Sequence, residues 1–361
     1  MNVIQIVTHF DLGGAERIAI NIAKSKQSNI NYHMIEVIKG ASSFSKEYIN
    51  EMKEAGIHYY TSPYTSSKIG IIMFPVRLYK LIKSLNPVAI HTHTEIPDIS
   101  LYWSYILHPS LFKNIRLIRT IHNTQLWNKW KKIGHRVEAF MQKHKANIST
   151  SQMITEAYQS EFGPDKNIQL IYNGFSETQQ TEYPHLEKNK INILFAGRFV
   201  KQKGISTLIN VIKQVKNQNL IFHIAGKGEF QDLLLQELGS KKNVKITPPI
   251  FGLAKYLASF DYVFIPSEHE GLNSLSIESS INKTLVIINN IDGLNETLPN
   301  DYILKINNNS IQEYTELFDN AICNIKREEL IKKTFNYAQS HFNMEKMQEE
   351  YEKQYLNNIQ F

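Results

Sequence analysis

Cysteine is almost missing from this chain of 361 residues: Cys323 stands alone. No intramolecular disulfide can form, which is the composition of a reducing compartment. Long apolar runs are missing as well. Ile69–Val76 and Ser100–Phe112 both fall short of the ~20 residues that cross a bilayer. Residues 1–25 lack the pattern of a secretory leader, because the short run Val3-Ile4-Gln5-Ile6-Val7 turns polar at His9, Asp11 and Gly13-Gly14. Low-complexity sequence is confined to Asn307-Asn308-Asn309, and no short repeat recurs. These absences lead us to expect a cytoplasmic protein, at most lying on the inner face of a membrane.

Apolar side chains are plentiful. At 42% hydrophobic and 20% charged, the chain can offset its entropy with a core, which excludes a disordered or collagen-like polymer. Single cores usually stop growing near ~250–300 residues, so two domains are expected. The net charge of +6 is unevenly placed. Residues 1–180 carry 20 Lys and Arg against 13 Asp and Glu, and the remainder carries 20 against 21. A basic first half attracts nucleic acid, anionic lipid head groups or a phosphorylated ligand.

Short β-branched runs alternate with longer amphipathic ones. In the first half the strand candidates are Val3–Thr8, Tyr32–Ile38, Ile57–Tyr60, Val88–Thr92, Arg116–Ile121, Asn147–Thr150 and Ile168–Tyr172. Helical periodicity fills Ala15–Lys26, Lys46–Ala55, Ile71–Ser84 and Ile133–His144. The theme restarts with Ile191–Ala196, Leu220–Ala225, Val244–Ile246, Tyr262–Ile265 and Leu285–Asn289. Alternation of this kind predicts α/β architecture with parallel sheets covered on both faces, here twice over. The polar stretch 179–190, with Pro184, reads as a linker between domains 1–178 and 191–342, and 343–361 reads as a final helix. In doubly wound sheets ligands bind outside the carboxyl ends of the strands, so the loops there are the candidate sites.

Five such places stand out. Gly13-Gly14-Ala15-Glu16 follows the first strand and opens a helix, where free amides suit an anion. Gly197-Arg198 with Lys203-Gly204 follows the first strand of the second half; Arg198 can offer paired donors and Lys203 a point charge to phosphate. Gly226-Lys227-Gly228-Glu229 follows the next strand but lacks the third glycine and the later acid of a dinucleotide fingerprint. Pro266 to Glu278 contains Glu270-Gly271-Leu272-Asn273-Ser274, in which Asn273 or Ser274 can cap a helix bearing Glu278. Two carboxylates bracketing helix-start amides suit sugar hydroxyls and a phosphate. Finally His91, His93, His122 and Asn123 end or follow strands, as hydrogen-bonding groups rather than metal ligands, since no third ligand has clear spacing. A run of basic residues (Arg77, Lys80, Lys83, then Lys129, Lys131 and Lys132 interleaved with Trp127 and Trp130) suits an anionic bilayer.

Glu270-Gly271 followed at eight positions by Glu278 resembles the Glu-x7-Glu element of the retaining family 4 glycosyltransferases, which have the GT-B fold. Gly13-Gly14-Ala15-Glu16, His122, Asn173-Gly174, Gly197-Arg198, Lys203-Gly204, Gly226-Lys227-Gly228-Glu229, Pro266-Ser267, and Gly293 with Glu296 match in order along essentially the whole chain. The resemblance implies two Rossmann-like domains facing across a cleft, with the nucleotide-sugar on the second. Arg198 and Lys203 would hold the diphosphate, Glu278 the ribose and Glu270 the donor sugar, with amides from Gly271, Leu272, Asn273 and Ser274 and close approach at Gly197, Gly226 and Gly228. From the first domain Gly14 would approach the phosphate and His122 line the reaction centre, with His93, Asn123 and Asn173 towards the acceptor. The chain contains no Asp-x-Asp, in keeping with a metal-independent, cofactor-free enzyme.

By family habit the donor would be a UDP-sugar. The acceptor would be lipid-linked or an oligosaccharide of capsule or O-antigen assembly, with an anionic membrane as a further partner. The strand-end acids Glu270 and Glu278 would repel a polyanion, so no nucleic acid is expected. Two alternatives stay open at this stage: a nucleotide-sugar epimerase or hydrolase of the same fold, and a non-catalytic nucleotide- or nucleic-acid-binding protein.

Overall fold

A computed structural model describes the chain apart from residues 12, 26–28, 43, 128–129 and 357–361. Lys129, Lys26 and the last five residues of the expected final helix therefore lie outside the described residues. The chain divides into two compact units, Met1–Gly174 together with Met344–Phe361, and Phe175–Asn343.

The first unit is built on β1 (Asn2–Val7), β2 (Asn31–Glu36), β3 (His58–Tyr60), β4 (Ala89–His93), β5 (Arg116–Ile121), β6 (Asn147–Ser149) and β7 (Gln169–Leu170). They form one parallel sheet in the order β3-β2-β1-β4-β5-β6-β7. Most of its strand residues are buried, as continuous β-branched runs require when helices cover both faces. The helix Met344–Leu356 belongs to this unit. It presents Met347, Tyr351 and Tyr355 inward. The Tyr355 hydroxyl lies 2.9 Å from Nδ1 of His91, whose Nε2 lies 2.7 Å from Oγ1 of Thr120; the Tyr351 hydroxyl is 2.8 Å from the same Oγ1.

The second unit uses β8 (Ile191–Arg198), β9 (Leu220–Lys227), β10 (Val244–Thr247), β11 (Tyr262–Ile265), β12 (Leu285–Asn289) and β13 (Lys305–Ile306), all parallel, in the order β10-β9-β8-β11-β12-β13. Residues 179–190, read from their polarity as a linker, are packed onto this unit. Tyr183 is buried among Tyr256, Phe260 and His223, and the Thr181 amide donates to the Lys255 carbonyl at 2.7 Å. One aromatic anchor outweighs the polarity of its neighbours, because a single fully buried ring contributes about 1.5–3 kcal/mol.

Both sheets are doubly wound. Strand order reverses between β1 and β4 in one unit and between β8 and β11 in the other. Such a reversal opens a crevice beyond the carboxyl ends of the two strands, because the helices that follow them leave on opposite faces.

Candidate functional site

In the second unit, the reversal between β8 and β11 brings together two segments far apart in sequence. β8 ends at Arg198, and residues 201–203 then form a single 3-10 turn that carries Lys203. β11 ends at Ile265 and leads to Glu270. Nζ of Lys203 lies 2.6 Å from Oε1 of Glu270, a pair in which the carboxylate is buried and the lysine about one-fifth exposed. Backbone ties clamp the segments to each other. The Glu268 amide donates to the Gln202 carbonyl at 2.9 Å, and the Gln202 side chain donates to the His269 carbonyl at 3.1 Å. Gly204 explains the close approach. Its φ of +69° is left-handed, and a Cβ there would stand 1.8 Å from the Pro266 carbonyl oxygen.

Asn273 accepts from the Ser276 amide at 2.9 Å and so caps the helix Ser274–Ile281. The other amides of the first turn have no partner inside the helix. Glu278 is partly buried in the same helix, and Gly271 and Leu272 are partly exposed before it. Arg198 is exposed, with no ion-pair partner among the described residues. Gly197 and Gly226 face each other across β8 and β9, and a Cβ on Gly226 would meet the Gly197 carbonyl oxygen at 2.0 Å. Gly228 is pressed in the same way against the backbone of Phe199. Backbone crossing alone therefore requires glycine at 226 and 228.

Sequence reasoning assigned no role to several residues that position this loop. Asn289, at the end of β12, donates to the Ser267 carbonyl at 2.9 Å and accepts from the Asn309 amide at 2.9 Å, and Asn309 donates to the Pro266 carbonyl at 3.0 Å. An asparagine closing the apolar run Leu285–Asn289 was the available signal. Gly293 lies in the short helix Asp292–Asn295, where a Cβ would stand 2.1 Å from the Glu270 carbonyl oxygen. Alanine is a better helix former than glycine, so Gly293→Ala should cost the helix nothing and act through Glu270. A displacement near 1 Å is worth roughly 10²-fold in a positioned site. We expect Gly293→Ala to lower turnover by about 10–100-fold with an unchanged helical circular-dichroism signal; wild-type turnover would remove Gly293 from the site.

In the first unit the reversal lies between β1 and β4. Gly13 caps the helix Gly14–Ala23, and Gly14 is exposed, with no atom of the described residues within 4 Å of where a Cβ would be. Thr94, just after β4, has φ +78° and ψ 168°, a region that is essentially glycine-only. Its hydroxyl lies 2.8 Å from that of Thr8, which follows β1. A β-branched residue held in such a conformation costs of order 1–3 kcal/mol, and such residues cluster at working sites. No sequence signal marks it.

Beside Thr94, Nδ1 of His93 lies 3.1 Å from Nε2 of His122, and Nε2 of His93 lies 3.0 Å from the Gln5 carboxamide oxygen. Burial pushes the His122 pKa down to about 3, helped by the Arg119 cation, and holds His91 and His93 well below the usual histidine range. All three are neutral hydrogen-bonding groups at physiological pH. His91 and His93 are fully buried; Asn123 is exposed, and Asn173 is buried, its side-chain oxygen without a hydrogen-bond partner among the described residues.

Asp98, a conceivable third partner for the histidines, is committed elsewhere. Its Oδ2 lies 2.8 Å from Nε of Arg119, whose Nη1 lies 2.6 Å from Oε2 of Glu138. The basic surface also differs from its sequence reading. Arg77 donates to the Glu36 carbonyl at 2.8 Å and to the Thr61 carbonyl at 3.0 Å, and Trp127 is buried and donates to Glu138 at 2.5 Å. Trp130 packs against the core, while Lys131 and Lys132 are exposed. The arginine and the two tryptophans are structural.

Residues 176–337 match the family described as glycosyl transferases group 1, and residues 12–179 match glycosyltransferase family 4. The chain is 26% identical over 314 residues to a capsular polysaccharide biosynthesis glycosyltransferase, CapH, of Staphylococcus aureus, which spans 81% of this chain and 82% of that one. Among solved structures, a glycosyltransferase from Rickettsia africae aligns with a TM-score of 0.78 at 17% identity, covering 99% of both chains. HepE of Anabaena in complex with UDP aligns at 0.77 with 16% identity, over 98% of this chain and 99% of that one. The architecture is GT-B.

Proposed function

Because the chain belongs to the group 1 glycosyltransferases, we propose that it moves a hexose or N-acetylhexosamine from a UDP-sugar to a hydroxyl of a lipid-linked or oligosaccharide acceptor, with retention at the anomeric carbon, in surface polysaccharide assembly. The observation that carries the reading is the Lys203–Glu270 pair at the strand-order reversal of the second unit, beside the open start of the helix Ser274–Ile281. The likeness to CapH supports the pathway, and the UDP bound by HepE supports the nucleotide.

In this reading, the bond between the anomeric carbon and phosphate breaks as the bond to the acceptor oxygen forms. The acceptor's proton passes to the departing phosphate oxygen, so no separate carboxylate base is needed. Negative charge grows on the diphosphate, and donors fixed in advance at that point stabilise the transition state more than the ground state. Arg198, Lys203 and the amides of Ser274 and Leu275 supply those donors without a metal ion. Glu270 would take sugar hydroxyls and Glu278 those of ribose. Glu270 is the ion partner of Lys203, so a diphosphate that takes up the lysine would free the carboxylate to accept from the sugar hydroxyls.

Thermal-shift measurement with UDP-, GDP- and dTDP-sugars tests the donor, since a ligand bound only by the folded state raises the melting temperature. We expect stabilisation by UDP-sugars and, with acceptor present, a product of unchanged anomeric configuration. Free sugar or an isomer formed without acceptor would favour hydrolysis or epimerisation instead, and no shift with any nucleotide-sugar would refute the reading.

A further inference from the structure

The helix Ser67–Leu85 is apolar on two faces. One face, with Ile71, Phe74, Leu78 and Ile82, is in the core. The other carries Ile69, Ile72, Met73, Val76 and Tyr79 at helical spacing, and all of them are exposed, Ile72 to 72%. A helix that is hydrophobic all round is normally buried all round. A second exposed stripe, Trp103, Ile106 and Leu107, lies on the helix Glu95–Leu107, which packs against the first. The Tyr79 ring lies 5.1 Å from that of His108, so the two stripes meet there. Contiguous exposed apolar surface of this kind marks an interaction site on a folded protein.

The exposed charge on these two helices and just beyond them is of one sign. Residues 67–85 contain no Asp or Glu, and Lys68, Lys80 and Lys83 on that helix are all exposed, with Lys113 exposed beyond the second helix. Asp98 is buried against Arg119, and Glu95 stands at the opposite end of its helix from Leu107. A two-fold contact through this face would set these lysines against their own copies. An anionic lipid surface has the complementary charge. Apolar side chains and an exposed tryptophan enter the head-group boundary while lysine stems lie along it with their ammonium groups at the phosphates. No helix among the described residues is long and apolar enough to cross a membrane, so the contact is with its surface.

We infer that the joined faces of Ser67–Leu85 and Glu95–Leu107 seat the first unit on an anionic bilayer. The inference deepens the acceptor reading by naming the surface that would bring the enzyme to a lipid-linked substrate. Its test uses no catalysis, so the two can fail separately. The full chain is sedimented with vesicles of phosphatidylcholine alone and with 30% phosphatidylglycerol, at about 50 mM and 500 mM salt. We expect binding to the anionic vesicles at low salt and at least a 10-fold weakening at high salt. Ile72→Asp with Val76→Asp should abolish binding at either salt, and Lys80→Glu with Lys83→Glu should abolish its salt-dependent part. Both variants change exposed residues and should keep the wild-type melting temperature and UDP-sugar stabilisation. Absence of binding at low salt, equal binding to neutral vesicles, or a dimer that Ile72→Asp with Val76→Asp splits without any vesicle binding would each overturn the inference.

Discussion

Arg198→Ala is expected to lower turnover by roughly 10²–10³-fold, the cost of removing one fixed donor from a developing negative charge. The variant is informative because of what Arg198 does not do in the fold. It is exposed at the end of β8 and pairs with no acid among the described residues, so its loss should change stability by no more than about 0.5 kcal/mol. Steady-state kinetics should show kcat falling more than KM rises, because an interaction stronger in the transition state than in the ground state acts on kcat. Lys203→Ala is a poorer probe of the same idea. It removes the partner of Glu270 and leaves that buried carboxylate unpaired, so lost folding and lost chemistry are confounded. Near-normal turnover in folded Arg198→Ala would remove this residue from the diphosphate site.

The largest loss of stability is expected from Arg119→Met. Arg119 is 1% exposed and lies between Asp98 and Glu138, which are themselves buried. Thr92 donates to Asp98 at 2.6 Å, and Tyr158 donates to Glu138 at 2.8 Å. Burial pushes the Asp98 pKa up to about 7 even against the guanidinium, while the two carboxylates hold Arg119 above the ordinary arginine range. Taking out the cation leaves two carboxylates with no charge partner in an apolar interior, which costs about 3–5 kcal/mol. Urea unfolding should show the first unit melting earlier by that amount, with the second unit's transition unmoved. Replacing all three groups with apolar residues of similar volume should recover most of the loss, since desolvating a buried ion cluster already consumes much of its attraction. A loss under 1 kcal/mol from Arg119→Met alone would show that the cluster is hydrated or loosely held.

Arg119 also shows where sequence reading reaches its limit. An arginine in the middle of the β-branched run Arg116–Ile121 reads as an interruption, and its two acids lie 21 residues before it and 19 after. Only the packing of two helices on one face of the sheet puts them within reach. Trp127 and Arg77 were misplaced for the same reason. Next to lysines in sequence they suit a lipid surface, whereas in the fold each spends its polar atoms on a buried or backbone partner. The bilayer face inferred from the structure keeps Lys80 and Lys83, which the sequence also set toward an anionic surface, and adds the exposed stripe of Ile69, Ile72, Met73, Val76 and Tyr79. Core and exposed stripes share one 3.6-residue pattern and differ only in what packs against them.

The order and type of the elements were set locally. β-branched runs alternate with amphipathic segments, and glycines, asparagines and charges gather where strands end, because backbone sterics and capping depend on near neighbours. That is enough to predict parallel sheets, to point at Arg198, Lys203, Glu270 and Glu278, and to see Asn273 as a cap. What the tertiary structure alone decided is which of these groups meet. The Lys203–Glu270 pair spans 67 residues, and the contact of Thr8 with Thr94, the threonine in a glycine conformation, spans 86. Both depend on the strand order of a sheet, and strand order is chosen by the burial of whole helices, a long-range sum that no short window of sequence contains.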